Sequence, residues 1–343
     1  MSDTKRANAV RVILLLILAA TALLSMRYGA INISPEDIFS SFKGYAAGSK
    51  NIGLNQRIFM DIRLPRVILC ILTGASLAVG GSLLQALFRN PIVEPGLIGT
   101  SSGAAFGAAL YFVLGATFKI EAGEWTLPVA ACGGAMLSSS LVFLLARSGR
   151  TGKSSVVTLL LTGIAINALF MSGVGFLSYI ARDPQARSVT FWGLGTLSGA
   201  NWHSVIILGI TALVCITLSL RLANALNTLA LGEEEAQYLG VNIRKLKFQV
   251  LILNIVLVAV STAFTGVISF VGLIAPHFAR IMLGSDNRTL LPDSALLGAI
   301  MLSIADLTAR MLLRPAELPI GIVTAIVGVP VFIILLRGKN YFF

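Results

Sequence analysis

Lys5 and Arg6 stand near the start of the chain and Arg11 follows. The next stretch is Val12-Ile13-Leu14-Leu15-Leu16-Ile17-Leu18-Ala19-Ala20-Thr21-Ala22-Leu23-Leu24, which has no charge and a single hydroxyl. Ser25-Met26-Arg27-Tyr28 comes after it without the small-x-small pattern of a cleaved leader. The stretch is therefore expected to be a retained membrane span, with cations holding the N-terminus inside. A spanning helix needs about 20 apolar residues, and the same reading applied along the chain predicts ten spans: 10–27, 65–87, 97–117, 126–146, 154–180, 203–221, 247–267, 270–284, 292–313 and 319–337. The eighth is short and follows Gly266 and Gly272, which suggests a broken or half-length helix. Irregular backbone at that depth requires burial in protein or a cavity lining.

Composition supports this reading. Of 343 residues, 56% are apolar and 12% are Asp, Glu, Lys or Arg, against roughly 45–50% and about 25% in soluble domains. Mean hydropathy is +0.87. A soluble enzyme or a disordered chain would expose this apolar surface to water. The predicted fold is thus all-α: one polytopic membrane domain over 1–343, with both termini cytoplasmic, an external loop at 28–62 and a cytoplasmic segment at 222–241.

Net charge is +11, from 26 Lys and Arg against 15 Asp and Glu. The cations lie between apolar runs, as topology signals and headgroup contacts do, so nucleic acid is not an expected partner. With the N-terminus inside, 15 cations fall on the cytoplasmic side and 11 outside. Six of the 11 (Arg27, Lys43, Lys50, Arg57, Arg63 and Arg66) flank or occupy the external loop. Setting that region aside leaves 15 against 5, which agrees with the orientation. A basic external loop points to an anionic partner outside.

Several motifs invite chemistry that the residues do not support. Gly152-Lys153-Ser154-Ser155 resembles the end of a phosphate-binding loop. The required first glycine falls on Arg147, and no strand precedes it. His203 and His277 lie in different spans, and Cys70, Cys132 and Cys215 lie singly in apolar runs, so neither a metal nor a disulfide framework is expected. Asp306 and Arg310 are spaced i,i+4 and can pair on one helix face. Without a chain of intramembrane carboxylates or histidines, a proton relay has little to work with. Glycine, 33 copies in all, recurs at helical spacing, as in the row Gly99, Gly103, Gly107; small residues let membrane helices approach closely.

Two segments look functional. In Asn227-Thr228-Leu229-Ala230-Leu231-Gly232-Glu233-Glu234-Glu235-Ala236-Gln237-Tyr238-Leu239-Gly240, Gly232 separates two short helices. The glutamates suit the first turn of the second helix. Leu229, Leu231, Ala236 and Leu239 would offer an apolar docking surface in the cytoplasm. The turn Phe88-Arg89-Asn90-Pro91-Ile92-Val93-Glu94-Pro95-Gly96 is stiffened by two prolines. It reads as a shaped cytoplasmic turn, either a simple connection or a gate at a pore mouth.

Six ordered motifs carry a family resemblance: Arg63-Leu64-Pro65-Arg66, Gln85-Ala86-Leu87-Phe88-Arg89-Asn90-Pro91, Glu94-Pro95-Gly96-Leu97-Ile98-Gly99, Ala230-Leu231-Gly232-Glu233, Gly272-Leu273-Ile274-Ala275-Pro276-His277 and Ala316-Glu317-Leu318-Pro319-Ile320-Gly321. Over about residues 10–340 the chain resembles the FecCD-type permease subunits of type II ABC importers, which take up iron–siderophore complexes, heme and cobalamin. The resemblance implies a non-catalytic, multi-pass subunit of a bacterial inner membrane, with no cofactor and no resident metal. It implies a second copy of itself or a homologous permease, a cytoplasmic ABC ATPase dimer that supplies energy, and an extracytoplasmic substrate-binding protein. Leu229, Leu231, Gly232, Glu233, Glu234, Ala236 and Leu239 would meet the ATPase. Arg63, Arg66 and Arg310 match positions that contact acidic residues of the binding protein, and Arg314 is a further outside cation. Asn90, Pro91, Glu94, Pro95 and Gly96 match a cytoplasmic gate loop, with Ser154 and Ser155 where the exit narrows. Ser188-Val189-Thr190-Phe191-Trp192-Gly193-Leu194-Gly195-Thr196-Leu197-Ser198-Gly199 resembles heme and siderophore permeases more than cobalamin ones, with Thr196 where serine is usual. The expected cargo is therefore an iron chelate or heme. Alternatives are a cobalamin permease of the same family and a secondary transporter that needs no ATPase.

Overall fold

The computed structural model describes residues 3–29, 31–46, 53–115, 118, 123–146 and 156–337. In chain order its helices are α1 (Asp3–Arg27), α2 (Pro35–Ala46), α3 (Leu54–Arg57), α4 (Leu64–Phe88), α5 (Thr100–Leu110), α6 (Thr126–Leu145), α7 (Val156–Ile180), α8 (Asp183–Gly193), α9 (Trp202–Arg221), α10 (Ala223–Ala230), α11 (Glu233–Tyr238), α12 (Ile243–Thr265), α13 (Val271–Leu283), α14 (Asn287–Leu312) and α15 (Ile320–Arg337). A π-helical stretch (Ile58–Arg63) leads into α4, a 3-10 turn (Pro95–Ile98) precedes α5, and a second π-helical stretch (Tyr111–Gly115) extends it. Seven helices are long and apolar enough to cross a bilayer, and Thr100–Gly115, Val271–Leu283 and Ile320–Leu335 are shorter apolar ones. Together these ten correspond to the ten expected spans. Ser154 and Ser155, expected at the exit, lie outside the described residues.

α4 is the axle of the bundle. It is buried nearly throughout and packs against α14, α12, α13 and α9. Sequence explains how so many helices can reach it. Gly74 lies against Gly298 of α14 with their backbones in contact, and Gly81 lies against Gly272 of α13 in the same way. On the other side, Gly103 and Gly107 of α5 meet Gly134 and Ala130 of α6. Lipid gives helices no hydrophobic reason to associate, so close backbone approach and polar contacts must do it. Gly99 departs from the expected helical row: it adopts φ +86° and ends the 3-10 turn. The peripheral helices α1 and α7 bury little of their surface and present leucine, isoleucine and valine outward.

Two departures concern what lies between spans. The external loop contains α2 and a helical lead-in to α4, tied together by Asn55 donating to Asp37 (3.0 Å) and Gln56 donating to Ser40 (2.8 Å). The turn at 89–99 does not stay at the cytoplasmic rim. Gly272 lies within reach of both Pro95 and the Leu77 carbonyl. Leu77 is 11 residues up α4 from Phe88, about 16 Å along the axis. The chain thus folds back into the bundle to roughly half depth. Lipid forbids such backbone unless protein encloses it, and α13, only about 20 Å long at 1.5 Å per residue, leaves the room.

Candidate functional site

Five of the six motifs meet in space, and each meeting place is held by a specific polar contact. The re-entrant turn begins with the Asn90 side chain accepting from the Ile92 N–H (3.0 Å), a local turn lock. Deeper in, the Glu94 carboxylate accepts from the Phe270 N–H at 2.6 Å. Phe270 is the residue before α13, with φ +69°, a left-handed conformation costly for a bulky side chain. The carboxylate satisfies one of the free N–H groups at the helix start and sits at the positive end of its dipole. Pro95 packs on Gly272. The Gly96 carbonyl accepts from Asn167 Nδ2 (3.1 Å), and Asn167 Oδ1 accepts from Ser102, so the turn is also pinned to α7. On α4, Gln85 donates to the Leu273 carbonyl (3.2 Å) and accepts from Arg280 (3.3 Å). Asn167 and Arg280 were not singled out from the sequence. A lone asparagine in an apolar helix was the available signal for the first.

At the outer end, Arg66 bridges two acids. Its Nε and Nη2 donate to Asp306 (3.0 and 2.9 Å), and its Nη1 donates to Glu317 (3.0 and 2.8 Å). Asp306 also pairs with Arg310 at 2.9 Å, as the i,i+4 spacing suggested. Arg310 reaches on to the Ser25 side chain and to the Tyr28 carbonyl, and Arg63 donates to the Tyr28 and Ile31 carbonyls. Arg63, Arg66 and Arg310 are only 6%, 9% and 3% exposed. Expected to meet a partner's acidic residues, they make their bonds within this chain: desolvated guanidiniums need paired carboxylates or carbonyls, and here they find them inside the protein. Of the four arginines there (Arg63, Arg66, Arg310 and Arg314), Arg66 and Arg310 hold the carboxylates of Asp306 and Glu317, so the rim keeps a positive excess. Arg314 is exposed, with its guanidinium on the Met311 sulfur. Further down α14, buried Asp293 holds Arg11 of α1 at 2.8 and 3.0 Å, a pair the sequence analysis did not identify.

At the inner end, α10 and α11 form the expected pair of short helices, but the pair turns differently. Leu229 and Ala236 are buried in the same core as Leu226 and Val250, so they anchor the pair and do not face a partner. Gly232 has φ +142°, which only glycine adopts readily. Glu233 is held by Lys247 at 2.8 and 2.9 Å. Leu231, Glu234, Glu235, Tyr238 and Leu239 are exposed. Tyr238 and Glu235 were missing from the expected set. Asn227 fastens α10 to the start of α14, donating to Asp286 (2.7 Å) and accepting from the Asn287 N–H (2.8 Å). The Arg288 guanidinium beside it, with Asn227, holds the Asp286 carboxyl well below the usual carboxylate range.

His203 stacks edge-on to Trp125, and Cys70 and Cys215 are buried. Among the described residues no group of three His, Cys, Asp or Glu could hold a metal ion. Ten closely packed apolar helices, a turn re-entering to mid-depth and an exposed apolar knob on the inner face define a membrane permease.

The chain belongs to the FecCD transport family, whose model matches residues 15–338. It is 40% identical over 328 residues to the hemin transport system permease protein HmuU of Yersinia pestis, covering 95% of each chain. It is 33% identical over 337 residues to the vitamin B12 import system permease protein BtuC of Vibrio vulnificus, covering 98% of this chain and 96% of that one. Among solved structures, an inward-facing conformation of an ABC transporter superposes with a TM-score of 0.83 at 33% identity, covering 96% of this chain and 99% of that one. The protein is accordingly a multi-pass inner-membrane permease subunit of an ABC importer.

Proposed function

We propose that this permease carries an iron complex, heme or a ferric siderophore, inward across the membrane. The observation that carries the choice of cargo is the likeness to a hemin permease along 95% of the chain. The segment Phe191-Trp192-Gly193-Leu194-Gly195 supports it through its position. Leu194 and Gly195 carbonyls accept from Gly321 (2.9 Å) and Ile320 (3.1 Å), and Thr196 donates to Thr265 (2.8 Å), so this stretch joins α8, α12 and α15 at the outer side. Substrate-dependent residues there would bear directly on how the outer ends of three helices meet.

Energy enters from below. A separate ATPase dimer docks on Leu231, Glu234, Glu235, Tyr238 and Leu239, with Gly232, Leu229, Ala236 and the Glu233–Lys247 pair giving the knob its shape. Two copies of this chain, or this chain and a homologous permease, enclose one pathway. The re-entrant turn from Asn90 to Gly96 acts as the inner gate, held by Glu94 and Asn167. Outside, a substrate-binding protein presents carboxylates to the positive excess around Arg63, Arg66 and Arg310, which steers encounter and fixes register. Closure of the ATPase is passed on as rigid-body movement of helices, and no covalent bond is made or broken by the permease.

The test is ATP-driven uptake in proteoliposomes containing the assembled importer, with heme, ferric siderophores and cobalamin offered separately. Uptake of heme or a siderophore is expected. Uptake of cobalamin alone would transfer the chain to the vitamin branch of the family.

A further inference from the structure

An open apolar groove of about 340 Å³ runs between the outer ends of α1 and α14, lined by Leu24, Tyr28, Leu307, Thr308, Met311 and Leu312. It lies outside the machinery assigned above. Its polar content is small, because the Thr308 hydroxyl is already spent on the Ile304 carbonyl (2.8 Å). Two exposed cations stand at its edge and rest on its lining. The Arg27 guanidinium lies 5.2 Å from the centre of the Tyr28 ring, and that of Arg314 touches Met311. Among the described residues neither arginine is paired with a carboxylate.

We propose that this groove binds one anionic phospholipid of the outer leaflet, its acyl chain along Leu24, Leu307 and Met311 and its headgroup phosphate between Arg27 and Arg314. The argument is charge complementarity joined to depth. The walls belong to membrane helices near their outer ends, where a headgroup and the upper part of a chain lie. A largely apolar slot suits hydrocarbon, and two guanidiniums beside it that make no ion pair among the described residues suit a phosphodiester, which they can engage with paired hydrogen bonds. Tyr28, apolar in body and polar at its tip, fits the same interface. Arg314 is thereby separated from the docking arginines: its guanidinium lies over the groove, whereas Arg63, Arg66 and Arg310 turn into the protein.

The experiment is native mass spectrometry of the full chain in mild detergent, titrated with phosphatidylglycerol or with phosphatidylcholine. One phosphatidylglycerol is expected to be retained in preference to phosphatidylcholine. Arg27→Gln with Arg314→Gln should weaken that retention roughly thirtyfold, the size that two basic groups at an anionic lipid surface give. Thr308→Trp, which fills the slot and leaves both charges, should remove it too. Equal retention of the two lipids, or retention unchanged in both variants, would overturn the proposal. If Thr308→Trp instead splits a dimer while the lipid count stays the same, a second copy occupies the groove and the lipid assignment is wrong.

Discussion

At the inner end of the bundle, Leu231, Tyr238 and Leu239 are 67%, 90% and 66% exposed. At the outer end, Arg63, Arg66 and Arg310 are buried and bonded to groups of the same chain. Both sets were expected to face partners; the apolar one stands exposed, and the basic one is turned into the protein. The difference follows from what solvation allows. An exposed leucine costs little and gains when covered, so a docking surface of apolar groups can stand ready in water. A guanidinium beside an unpaired carboxylate closes on it. A basic surface can therefore stay open only to the extent that its cations outnumber the acids around them. Here the excess is what remains available, and any incoming carboxylate must compete with Asp306 and Glu317.

The comparison breaks most readily at Asp306, which lies between Arg66 and Arg310. Asp306→Ala leaves buried Arg310 without a carboxylate and Arg66 with Glu317 alone, and should lower stability by about 3–5 kcal/mol, read as a fall in the thermal midpoint of the detergent-purified chain. A loss below about 1 kcal/mol would mean that the outer cluster is solvated after all. At the inner end, Leu229→Ala should cost about 2–4 kcal/mol, as for other buried leucines, whereas Leu231→Ala and Tyr238→Ala should leave the midpoint alone and reduce ATP-driven uptake at least tenfold. Equal midpoints for Leu229→Ala and Leu231→Ala would erase the assignment of faces.

Smaller effects sharpen the contrast. Glu233→Gln removes a partly exposed ion pair with Lys247 and should cost no more than about 1 kcal/mol. The smallest effect concerns pH. The Asp286 carboxyl is depressed in the folded protein, so its contribution is complete above the ordinary Asp value of about 4 and is lost only as pH falls through the folded value. The difference in thermal midpoint between Asp286→Asn and the parent should therefore stay constant from pH 8 to pH 5. A difference that shrinks over that range would show that the Asn227–Asp286 contact is not made by the charged acid.

All ten spans were legible in the sequence because lipid imposes one requirement, apolar length, that hydropathy reports directly. The partners of buried charges were not. Arg66 and Asp306 are 240 positions apart, Arg66 and Glu317 are 251, and Arg11 and Asp293 are 282. No local pattern connects them, although Asp306–Arg310 was visible because a helix turn joins it. The two-helix knob was visible through Gly232, yet its faces were misjudged because Gly232 resets the helical phase. Leu226 and Leu229, spaced i,i+3 before the break, already marked the inward side. The depth of the 89–99 turn was hidden for a different reason. Prolines announce that a chain bends, not where in the bilayer it does so.

Where α4 crosses α13 and α14, Gly81 faces the Gly272 carbonyl and Gly74 faces the Gly298 carbonyl, with no room for a methyl group at either place. A single alanine would act as a wedge between main chains that have no side chain to swing aside. Compensation from across the crossing is ruled out as well, since glycine has nothing left to trim. Mutational drift should leave this seam untouched while it rewrites the lipid-facing leucines freely, so the permease's age would be recorded on its outside and its mechanism along one bare line.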